Sequence, residues 1–122
     1  MKKILLIISI ISLILLPGCG NKGSELEPPE GMTKETFGYG YSAYKMIEDY
    51  LNEKASAEDT ASFLEHISEK MGEIELAEND EGYGYNLSIS AYIDQAAFYM
   101  LHGTTNDVIQ VKDALKDVLQ LE

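Results

Sequence analysis

The sequence predicts an all-α protein, a small four-helix bundle made of two αα-hairpins, which follows a cleaved signal peptide and a flexible linker. Two observations support this prediction. Apolar residues recur at spacings of three and four in four segments after Thr33, as they do on one face of a helix. Polar breaks separate the segments, and two of them carry helix-start signals, at Ser56–Asp59 and Thr104–Asp107. Helices joined by short connections pack as antiparallel neighbours.

The first helix is expected from about Lys34 to Glu53, and the third from about Asn86 to Leu101. Gly38 and Gly40 weaken the first turns of the first helix by about 1 kcal/mol each relative to alanine, so a start near Tyr41 is the alternative. A polar break precedes the third helix. The predicted apolar faces are Phe37, Tyr41, Tyr44, Ile47 and Leu51 in the first helix, and Ile89, Tyr92, Ile93, Ala96, Ala97 and Met100 in the third.

The second and fourth helices follow sequences of the capping-box type, with aspartate in place of the usual glutamate. The second begins after Ser56 and ends between Met71 and Glu75, and the fourth begins after Thr104 and ends near Gln120. Their predicted apolar faces are Thr60, Leu64, Ile67 and Met71, with Phe63 beside them, and Val108, Val111, Leu115, Val118 and Leu119.

The two halves echo one another. At a shift of 48 residues, Ser42-Ala43-Tyr44 falls on Ser90-Ala91-Tyr92, and Ser56 falls on Thr104. The Gly-Tyr-Gly-Tyr segments at 38–41 and 82–85 match instead at a shift of 44. Either an internal repeat or the shared chemistry of two helical hairpins explains the echo.

The N-terminus has the pattern of an export signal. Lys2 and Lys3 precede the apolar stretch 4–16, which at 13 residues is shorter than the roughly 20 needed to span a membrane. Leu16-Pro17-Gly18-Cys19 follows and contains the only cysteine of the chain. The segment resembles the lipobox of bacterial lipoproteins, with Leu at −3, a small residue at −1 and Cys at +1. Pro17 departs from the Ala or Ser usual at that position.

This resemblance implies three processing steps. A transferase adds diacylglycerol to the Cys19 thiol, a peptidase cleaves before Cys19, and the chain stays attached to the extracytoplasmic face of the cell membrane. The layout of the rest, from Tyr50-Leu51 to Ser56-Ala57-Glu58-Asp59, resembles small helical lipoproteins of Gram-positive bacteria, a group that implies no particular activity.

Three regions are therefore expected: a signal peptide at 1–18, a lipidated cysteine and flexible linker at 19–32, and an acidic helical domain at 33–122. The linker is rich in Gly, Pro, Ser and Glu and has no apolar periodicity. A lone cysteine makes no internal disulfide, so helix packing must hold the domain together.

Charge and size restrict the function. The chain is formally −12, and removal of Lys2 and Lys3 with the signal peptide leaves −14, with no arginine. Such a field repels nucleic acid and anionic headgroups and attracts basic partners. No nucleophile elbow and no phosphate-binding glycine loop is present. We therefore expect no enzyme activity and no cofactor beyond the diacylglycerol on Cys19.

The candidate sites are few. His66 and Glu69 stand three residues apart on the second helix, and Asp80 lies in an acidic loop. These are weak metal ligands, because neither a Glu-x-x-His pair nor a complete EF-hand loop is present. Solvated polar residues are the simpler interpretation, so no metal site is predicted.

Eight tyrosines and no tryptophan are the most unusual feature of the composition. Tyrosine gives a large contact area at low entropic cost and is enriched at protein interfaces. Tyr39, Tyr41, Tyr83 and Tyr85 lie near the predicted helix starts, where they form either a binding patch or the packed end of the bundle.

Together these features predict a surface-exposed, membrane-anchored, non-catalytic module that binds a protein partner. Exclusion and immunity factors are examples of small lipoproteins that act in this way. The alternative is a lipoprotein that binds a metal or a small ligand through the acidic residues near His66 or Asp80.

Overall fold

Four helices make up the part of the chain that the computed structural model describes, residues 26–121. They are α1 (Lys34–Leu51), α2 (Ala57–Gly72), α3 (Glu81–His102) and α4 (Thr105–Leu119). No strand occurs within this range, so the predicted all-α four-helix bundle is confirmed. The predicted signal peptide, Cys19 and the linker up to residue 25 lie outside the described residues. None of the described helices has the length and hydropathy of a membrane span.

The helices pack so that α1 and α3 each contact all three of the others. The most extensive interface is between α2 and α3, which belong to different predicted hairpins. Asn86, near the start of α3, donates to the carbonyl oxygen of Met71 at the end of α2, so these two helices run antiparallel.

Helix α1 begins at Lys34, the earlier of the two predicted starts. The Thr33 side chain accepts a hydrogen bond from the Thr36 amide at 3.1 Å and so caps the helix. Gly40 lies inside the bundle, where an added Cβ would come within 2.9 Å of the Leu119 side chain and 3.1 Å of Ile89. The glycine thus allows α3 and α4 to approach α1 closely, which offsets its low helix propensity.

Helix α3 begins at Glu81, so the start predicted at Asn86 is wrong. The added turn contains Gly82 and Gly84, which favour a break when only local propensity is considered. Gly82 is buried, however, and an added Cβ there would lie 3.4 Å from the carbonyl oxygen of Gly31. Packing against a segment 50 residues away in sequence therefore stabilises this turn.

The predicted starts of α2 and α4 are confirmed. The Ser56 hydroxyl accepts from the Asp59 amide at 3.1 Å. At α4 the box is reciprocal: Thr104 Oγ1 accepts from the Asp107 amide, and Asp107 Oδ2 accepts from the Thr104 amide at 3.0 Å. These caps satisfy amide groups that have no partner within the helix.

The core uses most of the predicted apolar faces. Tyr41, Leu51, Tyr92 and Val118 are only half-buried, and Phe63 is exposed. Met32, placed in the linker by sequence, is 6% exposed and belongs to the core, and Pro29 is buried as well. The packed region thus begins ahead of residue 33. The core residues are Met32, Phe37, Ala43, Tyr44, Ile47, Ala61, Leu64, Ile67, Met71, Ile89, Ile93, Ala96, Ala97, Met100, Val108, Val111, Leu115 and Leu119.

A buried polar chain joins three helices. Thr36 Oγ1 donates to Asn86 Oδ1 at 3.0 Å, and Asn86 Nδ2 donates to the Met71 carbonyl oxygen at 3.0 Å. Thr36 is fully buried and Asn86 is nearly so. Because an unpaired buried polar group is costly, this chain fixes the relative positions of α1, α2 and α3.

The echo at a shift of 48 residues extends to the caps but only partly to the packing. Ser56 and Thr104 both cap a helix. Ala43, however, is buried whereas Ala91 is exposed, and Phe63 is exposed although its counterpart Val111 is buried. The two halves thus share the capped start of their second helix, while the lengths of their first helices, 18 and 22 residues, and their inward faces differ.

Candidate functional site

Helix α3 differs from the other helices in being apolar on more than its buried face. Its inward residues pack in the core, yet Leu87, Phe98 and Leu101 on its outer surface are 52%, 58% and 45% exposed. A helix that packs against neighbours on one side normally carries polar residues on the other. Apart from His102, the only acidic or basic residues on this helix are Glu81 and Asp94.

These exposed side chains belong to one row of residues along the helix, which we call the α3 stripe. Its spacing of four, three, four and three residues keeps it on one face of the helix. At 1.5 Å per residue the stripe is about 21 Å long. It consists of Leu87, Ala91, Asp94, Phe98 and Leu101, all of which are exposed.

The stripe ends in an aromatic group. The Phe98 ring lies 5.0 Å from the His102 ring in a tilted arrangement and 5.9 Å from the Tyr99 ring edge-on, measured between centroids. Aromatic pairs at such distances and angles are favourable, so Phe98 belongs to a small exposed aromatic cluster with Tyr99 and His102.

The opposite flank of α3 faces α4. Tyr85, Tyr92 and Tyr99 recur every seven residues and line two shallow, open grooves with residues of α4, among them Val118 and Val111. Each tyrosine precedes a stripe residue by two positions, which is 200° around the helix. The stripe therefore lies on the side away from α4, where α2 is the neighbouring helix.

Helix α2 carries an exposed row with the same spacing, which we call the α2 row. It consists of Glu58, Ser62, Glu65, Glu69 and Gly72. Members of both rows directly follow buried residues, as Glu65 follows Leu64 and Asp94 follows Ile93. The α2 row is turned from the buried face of α2 by the same angle as the stripe is turned from the buried face of α3. Packed antiparallel helices are related by a local twofold axis, and the stripe lies on the α2 side of α3, so the α2 row lies on the α3 side of α2. The stripe and the α2 row therefore border the groove between the two helices.

The predicted tyrosine patch has a different environment. All four members, Tyr39, Tyr41, Tyr83 and Tyr85, are half-buried, and Tyr41 stacks on Phe37 at 6.1 Å between centroids. Within each pair the two residues are 200° apart around their helix. Tyr39, Tyr41 and Tyr85 pack against the core. The structure therefore distributes these tyrosines over several flanks of the bundle.

The weak metal candidates do not come together. His66 and Glu69 are exposed on α2. Asp80 precedes α3, and its carboxylate accepts a hydrogen bond from the Ala77 amide at 3.1 Å. Among residues 26–121, no three histidine, cysteine or acidic side chains lie close enough together to hold a metal ion.

The side formed by α1 and α4 has paired charges. Lys45 Nζ donates to Glu48 Oε1 at 2.9 Å, and Lys112 Nζ lies 4.0 Å from Glu48 Oε2 and 5.6 Å from the centre of the Tyr44 ring. The hydrogen bond from Lys45, assisted by nearby positive charge, lowers the pKa of the Glu48 carboxyl. Burial, followed by the negative charge of Glu48, raises the pKa of Tyr44.

Sequence reasoning missed the α3 stripe because it sought one inward face per helix. The available signal was the scarcity of charged residue types from residue 82 to residue 101, where Asp94 is the only aspartate, glutamate, lysine or arginine. An amphipathic helix at the edge of a bundle alternates apolar and charged faces, so this composition indicates a second apolar face.

The chain matches no family model, no curated protein and no solved structure.

Proposed function

We propose that this protein is a non-catalytic protein-interaction module, held by lipid on the extracytoplasmic face of a cell membrane. The observation that carries the proposal is the α3 stripe, with three large apolar side chains about half exposed on one helix face. Phe98 and Leu101 lie one turn apart on this face, and exposed apolar residues that adjoin one another mark interaction surfaces.

The shape of the surface favours a macromolecular partner. The stripe is about 21 Å long and convex, which suits a helix or a sheet edge laid along it. The two grooves beside α4 are open and shallow, whereas small-molecule sites are concave and enclose most of the ligand.

The proposed anchor is compatible with this role. Two acyl chains on Cys19 would hold the chain stably, because one chain alone gives only reversible membrane binding. About 10 residues separate Cys19 from Pro29, the first buried residue of the described range, and a segment of this length spans at most roughly 35 Å. The acidic domain is repelled by anionic headgroups, so the tether keeps its surface available to partners. Blocking of a foreign machine or toxin, as by exclusion and immunity factors, is one form of this function.

The anchor is tested by fractionating cells that produce the chain or its Cys19→Ser variant. The wild-type chain should sediment with membranes and carry the mass of an acylated N-terminal cysteine, and the variant should lack both the acyl mass and the cleavage before residue 19. A wild-type chain on the membrane without the acyl mass would contradict the lipid anchor.

The interaction is tested by crosslinking the chain in intact cells and comparing the captured proteins with those of two variants. Phe98→Ser removes the aromatic side chain of the stripe, which is its most exposed large apolar residue. Ile109→Ser makes the same kind of change at a residue 40% exposed on α4 and serves as the control. A partner lost with Phe98→Ser and kept with Ile109→Ser supports the proposal. No partner captured by the folded, membrane-bound protein, or equal capture by all three proteins, contradicts it.

A further inference from the structure

Negative charge is concentrated on one side of the bundle. Residues 57–102, which form α2, α3 and their connection, contain ten carboxylates and one lysine, a net charge of −9. All ten of these acidic residues are exposed. Four of the ten carboxylates lie in the connection between the two helices. On the helices alone, α2 and α3 together carry six carboxylates and one lysine, whereas α1 and α4 together carry six carboxylates and four lysines.

This asymmetry coincides with the exposed apolar surface. The α3 stripe and the α2 row border the same groove, and Asp94 adds a carboxylate within the stripe. Lys70 is the only basic residue on the two helices apart from His66 and His102. A partner that covers the stripe must therefore approach an unbalanced negative field.

The negative charge of this surface determines which kinds of partner can bind in the groove. A second copy of the chain would bring another surface of charge −9 against the first, and like charges facing each other are destabilising. An anionic membrane surface is repelled in the same way. A helix with an apolar face beside lysine or arginine residues satisfies both rows at once.

We propose that the groove between the α3 stripe and the α2 row binds a cationic amphipathic helix of the partner protein, a proposal that rests on the function proposed above. The partner's apolar side chains contact Leu87, Phe98 and Leu101. Its basic side chains pair with Glu65 and Glu69. At about 21 Å, the groove accommodates roughly four helical turns, or about 14 residues.

The test uses residues 19–122 with Cys19→Ser, since the whole described core lies within this segment. The probe is a dye-labelled amphipathic peptide of about 18 leucine and lysine residues, a length sufficient to cover the groove. Its scrambled isomer has the same charge but no apolar face. Fluorescence anisotropy gives the Kd at low and at high salt.

Three variants separate the apolar contribution to peptide binding from the electrostatic one. Phe98→Ser should weaken binding at least about tenfold, as the loss of a central aromatic anchor does. Glu65→Gln/Glu69→Gln should weaken it several-fold at low salt and less at high salt, because salt screens the lost attraction. Asp113→Asn/Asp117→Asn makes the same charge change on α4 and should leave the Kd unchanged. All five positions are exposed, so circular dichroism should show an unaltered fold.

The proposal is overturned if the scrambled peptide binds equally well, if the α4 variant weakens binding as much as the α2 variant, or if the amphipathic peptide does not bind. The crosslinking experiment in cells separates this failure from failure of the proposed function. If a partner is captured in cells in a way that depends on Phe98 but the cationic peptide does not bind, only the proposal that the partner contributes a cationic helix is rejected. Absence of both results rejects the two proposals together.

Discussion

Replacing Asn86 by leucine should destabilise the bundle by about 2 kcal/mol, although leucine is apolar and similar in size. The change removes two buried hydrogen bonds, to the Thr36 hydroxyl and to the Met71 carbonyl, each worth about 1 kcal/mol net. The Met71 carbonyl still accepts from the Ile74 amide at 3.2 Å, so only the Thr36 hydroxyl is left without a partner in the described structure. An unpaired buried hydroxyl costs about 1–3 kcal/mol, which the added apolar burial of leucine offsets in part.

Thermal and urea unfolding followed by circular dichroism measure this loss. For a domain of this size, 2 kcal/mol corresponds to a fall in Tm of roughly 8–16 °C. Thr36→Val alone should cost about 1–2 kcal/mol, since it leaves Asn86 Oδ1 unpaired. The double variant should lose less than the sum of the single variants by about 1 kcal/mol or more, because it leaves neither side chain unpaired. Additive losses, or an Asn86→Leu variant as stable as the wild type, would refute the reasoning.

Three further predictions concern local packing, capping and charge. Gly40→Ala should destabilise the fold by about 1–3 kcal/mol, because the added Cβ has no room beside Leu119 and Ile89. Gly84→Ala should stabilise it by up to about 1 kcal/mol, because an added Cβ there meets nothing within 4 Å. Changes of Tm with the same sign in the two variants would contradict this prediction. Thr104→Ala should cost about 1 kcal/mol of unfolding free energy through loss of the α4 cap, and a neutral result would show that the box is dispensable. Lys45→Gln should raise the pKa of Glu48 towards its ordinary value in an NMR titration. Because folding lowers the pKa of Glu48, the ionised Glu48 carboxylate stabilises the fold above its unfolded-state pKa, and this stabilisation is lost as the pH falls through the folded-state pKa. A Glu48 pKa that is unchanged in Lys45→Gln would exclude the Lys45 hydrogen bond as the cause of the lowered pKa.

Local signals predicted the parts of the fold that depend on few residues. The caps at Ser56 and Thr104 are formed by side chains three residues from their partners, so the sequence alone locates the starts of α2 and α4. The spacing of apolar residues likewise predicted that Leu64, Ile93 and Leu115 are buried.

Contacts between distant segments were not predictable in this way. The start of α3 depends on the packing of Gly82 beside Gly31, and the burial of Asn86 depends on its hydrogen bonds to two other helices. A glycine or an asparagine in a polar break favours a loop by local chemistry, and only the neighbouring chain reverses that preference.

The candidate surface shows a similar division. Sequence composition drew attention to tyrosines, which proved half-buried and divided between opposite flanks. The exposed Phe98 and Leu101 were hidden within an apolar segment, because periodicity does not distinguish a second apolar face from a broad buried one. Their exposure became visible only once α2 and α4 were placed on either side of α3.

The most direct test of the central claim is site-specific photo-crosslinking in intact cells. A photoreactive amino acid replaces Phe98 in the stripe or, as the control, Ile109 on α4. Both positions are exposed, so neither substitution should disturb the core. We expect a discrete protein adduct from position 98 that position 109 does not give. Adducts of equal yield from both positions, or none from position 98 in the folded and membrane-bound protein, would contradict it.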